Sequence, residues 1–176
     1  MASGLRSETS SDPAGATRLR AAARAPAHRS RVRAVLGDGR NRWLADPLHD
    51  QPDLPGGATR YALDLEMTVG SGGAQVALRK AAFVDVGPLH EARAPHRALE
   101  VEISWRASSM APLFPVFAGT LRWSAGELSL DGWYAPPLGT VGAAADRVLF
   151  RMVARRTARW LLDRIASEMT RSSDQP

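Results

Sequence analysis

The feature that most constrains this chain is an alternation of apolar and polar residues at period two. Tyr61, Leu63, Leu65, Met67 and Val69 alternate with Arg60, Ala62, Asp64, Glu66 and Thr68. Successive side chains of a strand point to opposite faces, so a segment of this kind has one buried face and one solvated face. Gly70-Ser71-Gly72-Gly73 supplies a hairpin turn. The return strand, about Gln75 to Val86, puts Val76, Leu78, Lys80, Ala82, Val84 and Val86 in one phase. After a polar loop over 87–97 with two prolines, the alternation resumes with Leu99, Val101, Ile103 and Trp105 inward and Glu100, Glu102, Ser104 and Arg106 outward. A fourth strand carries Phe117, Gly119, Leu121 and Trp123. After the turn at Ala125-Gly126 a fifth carries Leu128, Leu130, Gly132 and Tyr134. Pro136 and Pro137 end it, because proline cannot donate to a sheet ladder.

The last element changes period. From about Gly142 to Met169 the chain reads as a helix, long enough at ~1.5 Å per residue to cross the sheet. Ala145, Val148, Leu149 and Met152 form its early apolar face, and Thr157, Leu161 and Ile165 its late one. Arg155, Arg156 and Arg159 lie between, a drift expected of a helix curving over a twisted sheet. At the other end of the chain, the Ala- and Arg-rich stretch 17–36 predicts a helix from about Ala27 to Leu36, stopped at Gly37. A short helical turn around Asn41 to Ala45 would bring Trp43 and Leu44 onto the domain, and 46–58 reads as a loop. No strand is expected before these segments.

The fold class expected is therefore α+β: a curved antiparallel sheet of about five to six strands packed against a long C-terminal helix. With 176 residues there is room for one ordinary core. The predicted organisation is a disordered basic arm over 1–26, a single domain over 27–170 and a disordered tail over 171–176.

The net charge of +5 is an N-terminal property. Residues 1–45 hold nine Arg against Glu8, Asp12 and Asp38, whereas the remainder is close to neutral. No basic patch is expected on the domain itself, so no nucleic-acid partner is expected, and membrane contact through the arm would be weak. Arg exceeds Lys so far that Lys80 is the sole lysine, which a GC-rich coding sequence explains. The absence of cysteine removes disulfide and thiolate chemistry. With no apolar run near ~20 residues and no secretory pattern, the cytoplasm is the default location.

From about residue 60 to 169 the chain resembles the SRPBCC superfamily, also called START-like, helix-grip or polyketide cyclase/dehydrase-like proteins. The resemblance rests on strands followed by a long terminal helix. It includes Leu113-Phe114-Pro115 before strand four, the stretch Asp131-Gly132-Trp133-Tyr134-Ala135-Pro136-Pro137-Leu138-Gly139, and Ala144-Ala145-Asp146-Arg147 in the helix. It implies a sheet gripping the helix, with a cavity that in such proteins commonly holds lipids, sterols, polyketides or other apolar molecules. One departure stands out. The superfamily begins with a strand and two short helices, and the strand is not legible here, which implies a shorter sheet or a cavity more open at that edge.

The walls of such a cavity would be Leu65, Met67, Leu78, Ile103, Trp105, Leu121, Trp123, Leu130 and Tyr134, faced by Phe150 and Val153. A filled core has the same composition. Gly119 and Gly132 leave room for a ligand or for close helix packing. Lys80 is the one ionisable side chain on the inward phase. It would anchor an anionic head or act as a base, unless a bulge turns it to solvent. Tyr61 and Tyr134 offer hydroxyls that would orient a ligand or find a backbone acceptor. The histidines lie in tails or loops with no metal-directing spacing, so neither metal nor cofactor is expected.

The leading expectation is a carrier of a small apolar molecule. General acid–base work needs a titratable group aimed at the substrate, and the inward strand phases hold no His, Asp or Glu. The alternatives are a cyclase- or hydrolase-type enzyme using Lys80, Tyr61 or Tyr134, and an interaction module using the apolar loop Met110 to Phe117. A phase error of one residue would turn Asp64, Glu66, Glu100 or Glu102 inward.

Overall fold

The structure is a computed structural model. It describes residues 16–37, 43–44, 54–69, 76–92, 97–107, 116–135 and 145–171; over 63–69, 76–80 and 145–150, and at Pro55, Ala107 and Val153, it describes the backbone. In chain order the elements are β1 (Thr17–Arg24), α1 (Arg29–Gly37), β2 (Thr59–Val69), β3 (Val76–Glu91), β4 (Leu99–Ala107), β5 (Val116–Ser124), β6 (Glu127–Ala135) and α2 (Ala145–Thr170). The strands form one sheet in the order β1-β6-β5-β4-β3-β2, antiparallel throughout. The fold is α+β, an open six-stranded antiparallel sheet with a C-terminal helix, as the alternation predicted.

The inward phases of the three best-described strands hold as read. Leu99, Val101, Ile103 and Trp105 of β4 are buried, as are Phe117, Leu121 and Trp123 of β5 and Leu128, Leu130 and Tyr134 of β6. Glu102 is exposed and Glu100 half-buried, so these acids stay out of the core. The turn from β5 to β6 has positive φ at both central residues, 50° at Ala125 and 81° at Gly126. That is the conformation whose twist matches the flanking strands. It is strained at Ala125, which carries a Cβ.

β1 corrects the expectation that no strand precedes α1. Residues 17–24, placed above in the basic arm, pair with β6 in unbroken register from Thr17↔Tyr134 to Arg24↔Glu127. Leu19 is buried, Ala21 and Ala23 are half-buried on the same phase, and Arg18, Arg20, Ala22 and Arg24 are exposed. The pattern is period two, but written in Ala and Arg, whose intrinsic preference is helical. Pairing with β6 overrides that preference. The strand's end is tied down at Ala25, whose N–H donates to the Gly126 carbonyl (2.8 Å) and whose carbonyl accepts from Trp123 Nε1 (2.9 Å).

Asp131 on β6 fastens the outer side of β1. It accepts from Arg18 Nε and Nη2 at 3.0 and 2.9 Å and from Arg20 Nε at 3.0 Å. The Arg18 guanidinium, and then that of Arg20, holds the Asp131 carboxyl below its usual range. A carboxylate with a depressed folded pKa adds stability above its unfolded pKa and loses it as pH falls through the folded value. The cluster is 44–65% exposed at the side chains, so solvent screening limits its worth. Asp131→Asn is expected to cost about 0.5–1 kcal/mol near neutral pH. That cost should shrink as the pH falls below the ordinary carboxylate range and through the lowered folded value. Urea denaturation at neutral and acid pH checks it; an equal cost at both would mean the carboxylate charge contributes nothing.

β3 also runs further than expected. The polar loop predicted to start at 87 is strand as far as Glu91, reached through a register shift between Val86 and Leu89. The bulge explains how Gly87 and Pro88 sit inside a strand, since an unpaired position needs no ladder N–H. It also turns Leu89 toward α1, where its Cδ2 lies 2.8 Å from where a Cβ on Gly37 would stand. A side chain at position 37 would have to push the end of Leu89 aside.

α1 forms where Ala27 to Leu36 was predicted, shifted by up to two residues, and buries Val32, Val35 and Leu36. Trp43 and Leu44 are buried as expected; the rest of the turn assigned to Asn41–Ala45 lies outside the described residues, as do the Gly70–Gly73 hairpin turn and residues 110–115 of the Met110–Phe117 loop. On α2 the late apolar face is Thr157, Leu161 and Ile165 as read, broadened by Ala154, Ala158, Leu162, Ala166 and Met169.

Candidate functional site

The path of α2 decides what kind of interior the sheet can enclose. The helix runs closest to β1 and β6 at one rim of the sheet and to β2 at the other, and stands further from β3, β4 and β5. Its backbone thus bridges the rims, and the inner face of the central strands is covered by side chains. A helix of small residues lying flat on the sheet would leave no such depth.

Six of the predicted wall residues, Ile103, Trp105, Leu121, Trp123, Leu130 and Tyr134, come together as one buried apolar layer in that depth. At one end of the β4–β5 ladder the Trp105 and Phe117 rings, opposite each other in register, stack at 3.9 Å between centroids and 16° between planes. The Phe117 ring also accounts for the two glycines. Gly119 and Gly132 face each other across β5 and β6, and a Cβ on either would lie 2.7 Å from Phe117 Cζ. The room they leave is filled by this ring.

The other five predicted wall positions, Leu65, Met67, Leu78, Phe150 and Val153, and the candidate Lys80 are described by backbone alone. The register brings Leu65 opposite Lys80 and Met67 opposite Leu78. It is continuous from Thr59↔Val86 to Val69↔Val76, so no bulge interrupts β3 at Lys80. Lys80 therefore holds the same strand phase as Ala82, Val84 and Val86, all buried.

Polar chemistry in the described interior is sparse. Thr157 is its one buried residue of polar or charged type. Tyr61 is fully buried and has a partner. Tyr134, near the end of β6 and 3% exposed, has a hydroxyl with no hydrogen-bond partner among the described residues. His90 is exposed, and among the described residues no group of His, Asp and Glu could hold a metal ion. No helix among them is long and apolar enough to cross a membrane.

Among the described residues, two concavities outside this interior stand out. A broad hollow of about 1120 Å³ covers the outer face of the sheet. Its charges are largely matched: Arg60 donates to both Asp85 oxygens at 2.6 and 2.8 Å, Arg122 lies 3.4 Å from Glu100, and Arg18 holds Asp131. The Asp85 carboxylate and its hydrogen bonds raise the Arg60 pKa further. The second, of about 540 Å³, lies between β1 and α2 and is lined by Arg20, Ala21, Arg151, Met152, Arg155, Arg156 and Arg159. Sequence reasoning missed it. The recurrence of Arg151, Arg155 and Arg159 at four-residue spacing was legible, but the strand supplying Arg20 was not, and a charge total for the domain hides a local cluster.

A sheet whose two rims hold a C-terminal helix is the helix-grip arrangement, and the chain has an SRPBCC-type fold. The solved structure of Ara h 8.0201 matches it with a TM-score of 0.51 at 9% identity, over 90% of this chain and 100% of that one. At that identity the likeness concerns the fold alone. DynU16, from the dynemicin biosynthetic locus, gives a TM-score of 0.39 at 19% identity over 88% of this chain, which spans 47% of DynU16. No family model and no curated protein matches the sequence. β1 supplies the opening strand whose absence stood out as a departure from the superfamily pattern.

Proposed function

We propose that this protein binds and carries a small apolar molecule, of lipid or polyketide type, between the sheet and the N-terminal half of α2. The observation that carries the reading is the depth under a helix held by the sheet's rims, walled by side chains that are almost all apolar. Binding pockets for such molecules are apolar with a few placed polar groups. The stacked Trp105 and Phe117 rings form the closed floor of this interior. The ligand lies beyond them, against Leu65, Met67, Leu78, Phe150 and Val153, with Lys80 and the unpartnered Tyr134 hydroxyl as its polar contacts. A carrier suits this interior better than a cyclase or hydrolase, because among the described residues no carboxylate or imidazole is buried in it.

The test has two parts. Mass spectrometry of an organic extract of the purified protein should find an apolar compound specific to it. Titration with N-phenyl-1-naphthylamine, a neutral fluorescent probe, should show saturable one-to-one binding that the extracted compound displaces. Tyr134→Phe should weaken that compound by up to about tenfold if it carries an oxygen at the hydroxyl. Absence of saturable probe binding to the wild-type protein would overturn the reading.

A further inference from the structure

We propose that the cleft between β1 and α2 is a second site, one that binds a phosphate group. Four arginines of α2 converge on it: Arg151, Arg155 and Arg159 recur every four residues, and Arg156 flanks them. All four are exposed, and among the described residues none has an ion pair or hydrogen bond through its side chain. Like charges four apart on a helix destabilise it. Several arginines elsewhere are matched: Arg60 to Asp85, Arg18 to Asp131, Arg29 and Arg33 to Glu91, Arg122 to Glu100. Arg24, Arg97 and Arg106 also lack an ion pair among the described residues, so what sets the row apart is that its four guanidinium-bearing residues line one cleft.

The fifth arginine arrives from a different element. Arg20 projects from β1, where its Nε donates to Asp131 at 3.0 Å. Arg20 borders the cleft, with its guanidinium tied to Asp131 on the outer side of the sheet. Guanidinium groups offer paired N–H donors that match the oxygens of a phosphate, and several around one hollow can share its charge. The concavity matters as much as the charge. A hollow of about 540 Å³ takes a phosphate with part of what bears it, where a flat arginine-rich surface would hold only diffuse counterions. This site is independent of the apolar interior, and either can fail alone.

The source of the phosphate is either a free small molecule or a lipid headgroup, and two probes separate them. One is inorganic pyrophosphate, titrated calorimetrically at fixed ionic strength. The other is vesicle sedimentation with phosphatidic acid in phosphatidylcholine, against pure phosphatidylcholine. Arg155→Gln/Arg159→Gln removes two lining charges, and Arg24→Gln/Arg106→Gln removes two exposed charges from outside the cleft. Thermal melting checks that both variants fold. The expected result is that the lining pair weakens binding of at least one probe about tenfold or more, while the distant pair changes it less than about twofold. Binding of pyrophosphate alone assigns a soluble phosphate; capture by phosphatidic acid vesicles alone assigns a headgroup. Equal weakening by both variants, or binding of neither probe, overturns the proposal.

Discussion

Phe117→Ala is expected to lose about 3–5 kcal/mol of stability, the usual cost of removing a buried aromatic ring. Three separate contacts make the cost high. The ring is 0% exposed, so its full transfer free energy is lost. It is stacked on Trp105, and that pairing adds about 0.5–1.5 kcal/mol beyond area. Beneath it stand two glycines, whose missing side chains offer nothing that could swing in to fill the void. Phe117→Leu should cost a fraction of this, since it refills much of the volume but abolishes the stack. Urea denaturation followed by far-ultraviolet circular dichroism measures both. A loss below about 1 kcal/mol for the alanine variant would mean that the ring does not close the interior at this point.

A comparable loss, about 3–5 kcal/mol, is expected for Trp43→Ala. Trp43 joins elements that are otherwise held by few contacts. Its ring is buried, its Nε1 donates to the Val35 carbonyl of α1 at 3.1 Å, and its own carbonyl accepts from Arg164 Nε of α2 at 2.6 Å. Arg31 makes a further bridge between these helices, donating to the Glu168 carbonyl at 2.9 Å. Trp43→Phe keeps most of the packing and loses the donor to Val35, so it should cost about 1 kcal/mol beyond the small volume change. Hydrogen exchange of α1 amides locates the effect: the alanine variant should release α1 well before the sheet. If α1 and the sheet lose protection together and equally, Trp43 supports the whole core rather than the helix pair.

The sequence showed some parts of this fold clearly and hid others, for physical reasons. β4, β5 and β6 were legible because large apolar residues alternate with charged ones, and burial then follows phase. β1 was not, because alternation between Arg and Ala carries almost no hydrophobic contrast and both residues favour helix. Its register is enforced from outside, by β6 and by Asp131. The extension of β3 was hidden behind Gly87 and Pro88, which ordinarily end a strand and here occupy a bulge. For the interior, pattern alone placed Ile103, Trp105, Leu121, Trp123, Leu130 and Tyr134 in one layer. It could not tell that the space above Gly119 and Gly132 belongs to Phe117, because that depends on the direction of one ring. The arginine cleft needed two elements far apart in the chain to meet, which no local pattern encodes.

The pairing of β1 with β6 has a consequence for how the chain reaches this state during synthesis. Of the described strands, the first to be made hydrogen-bonds to the last to be made, Thr17 beside Tyr134. β2 to β5 can pair with their neighbours as they emerge, but β1 has no partner until β6 is complete, and the inner face has no cover until α2 follows. Contacts so distant in sequence slow folding, and uncovered apolar faces in a half-made chain invite association with other chains. Until α2 follows, a chain that has paired β4 with β5 holds Trp105, Phe117 and Leu121 on an uncovered face.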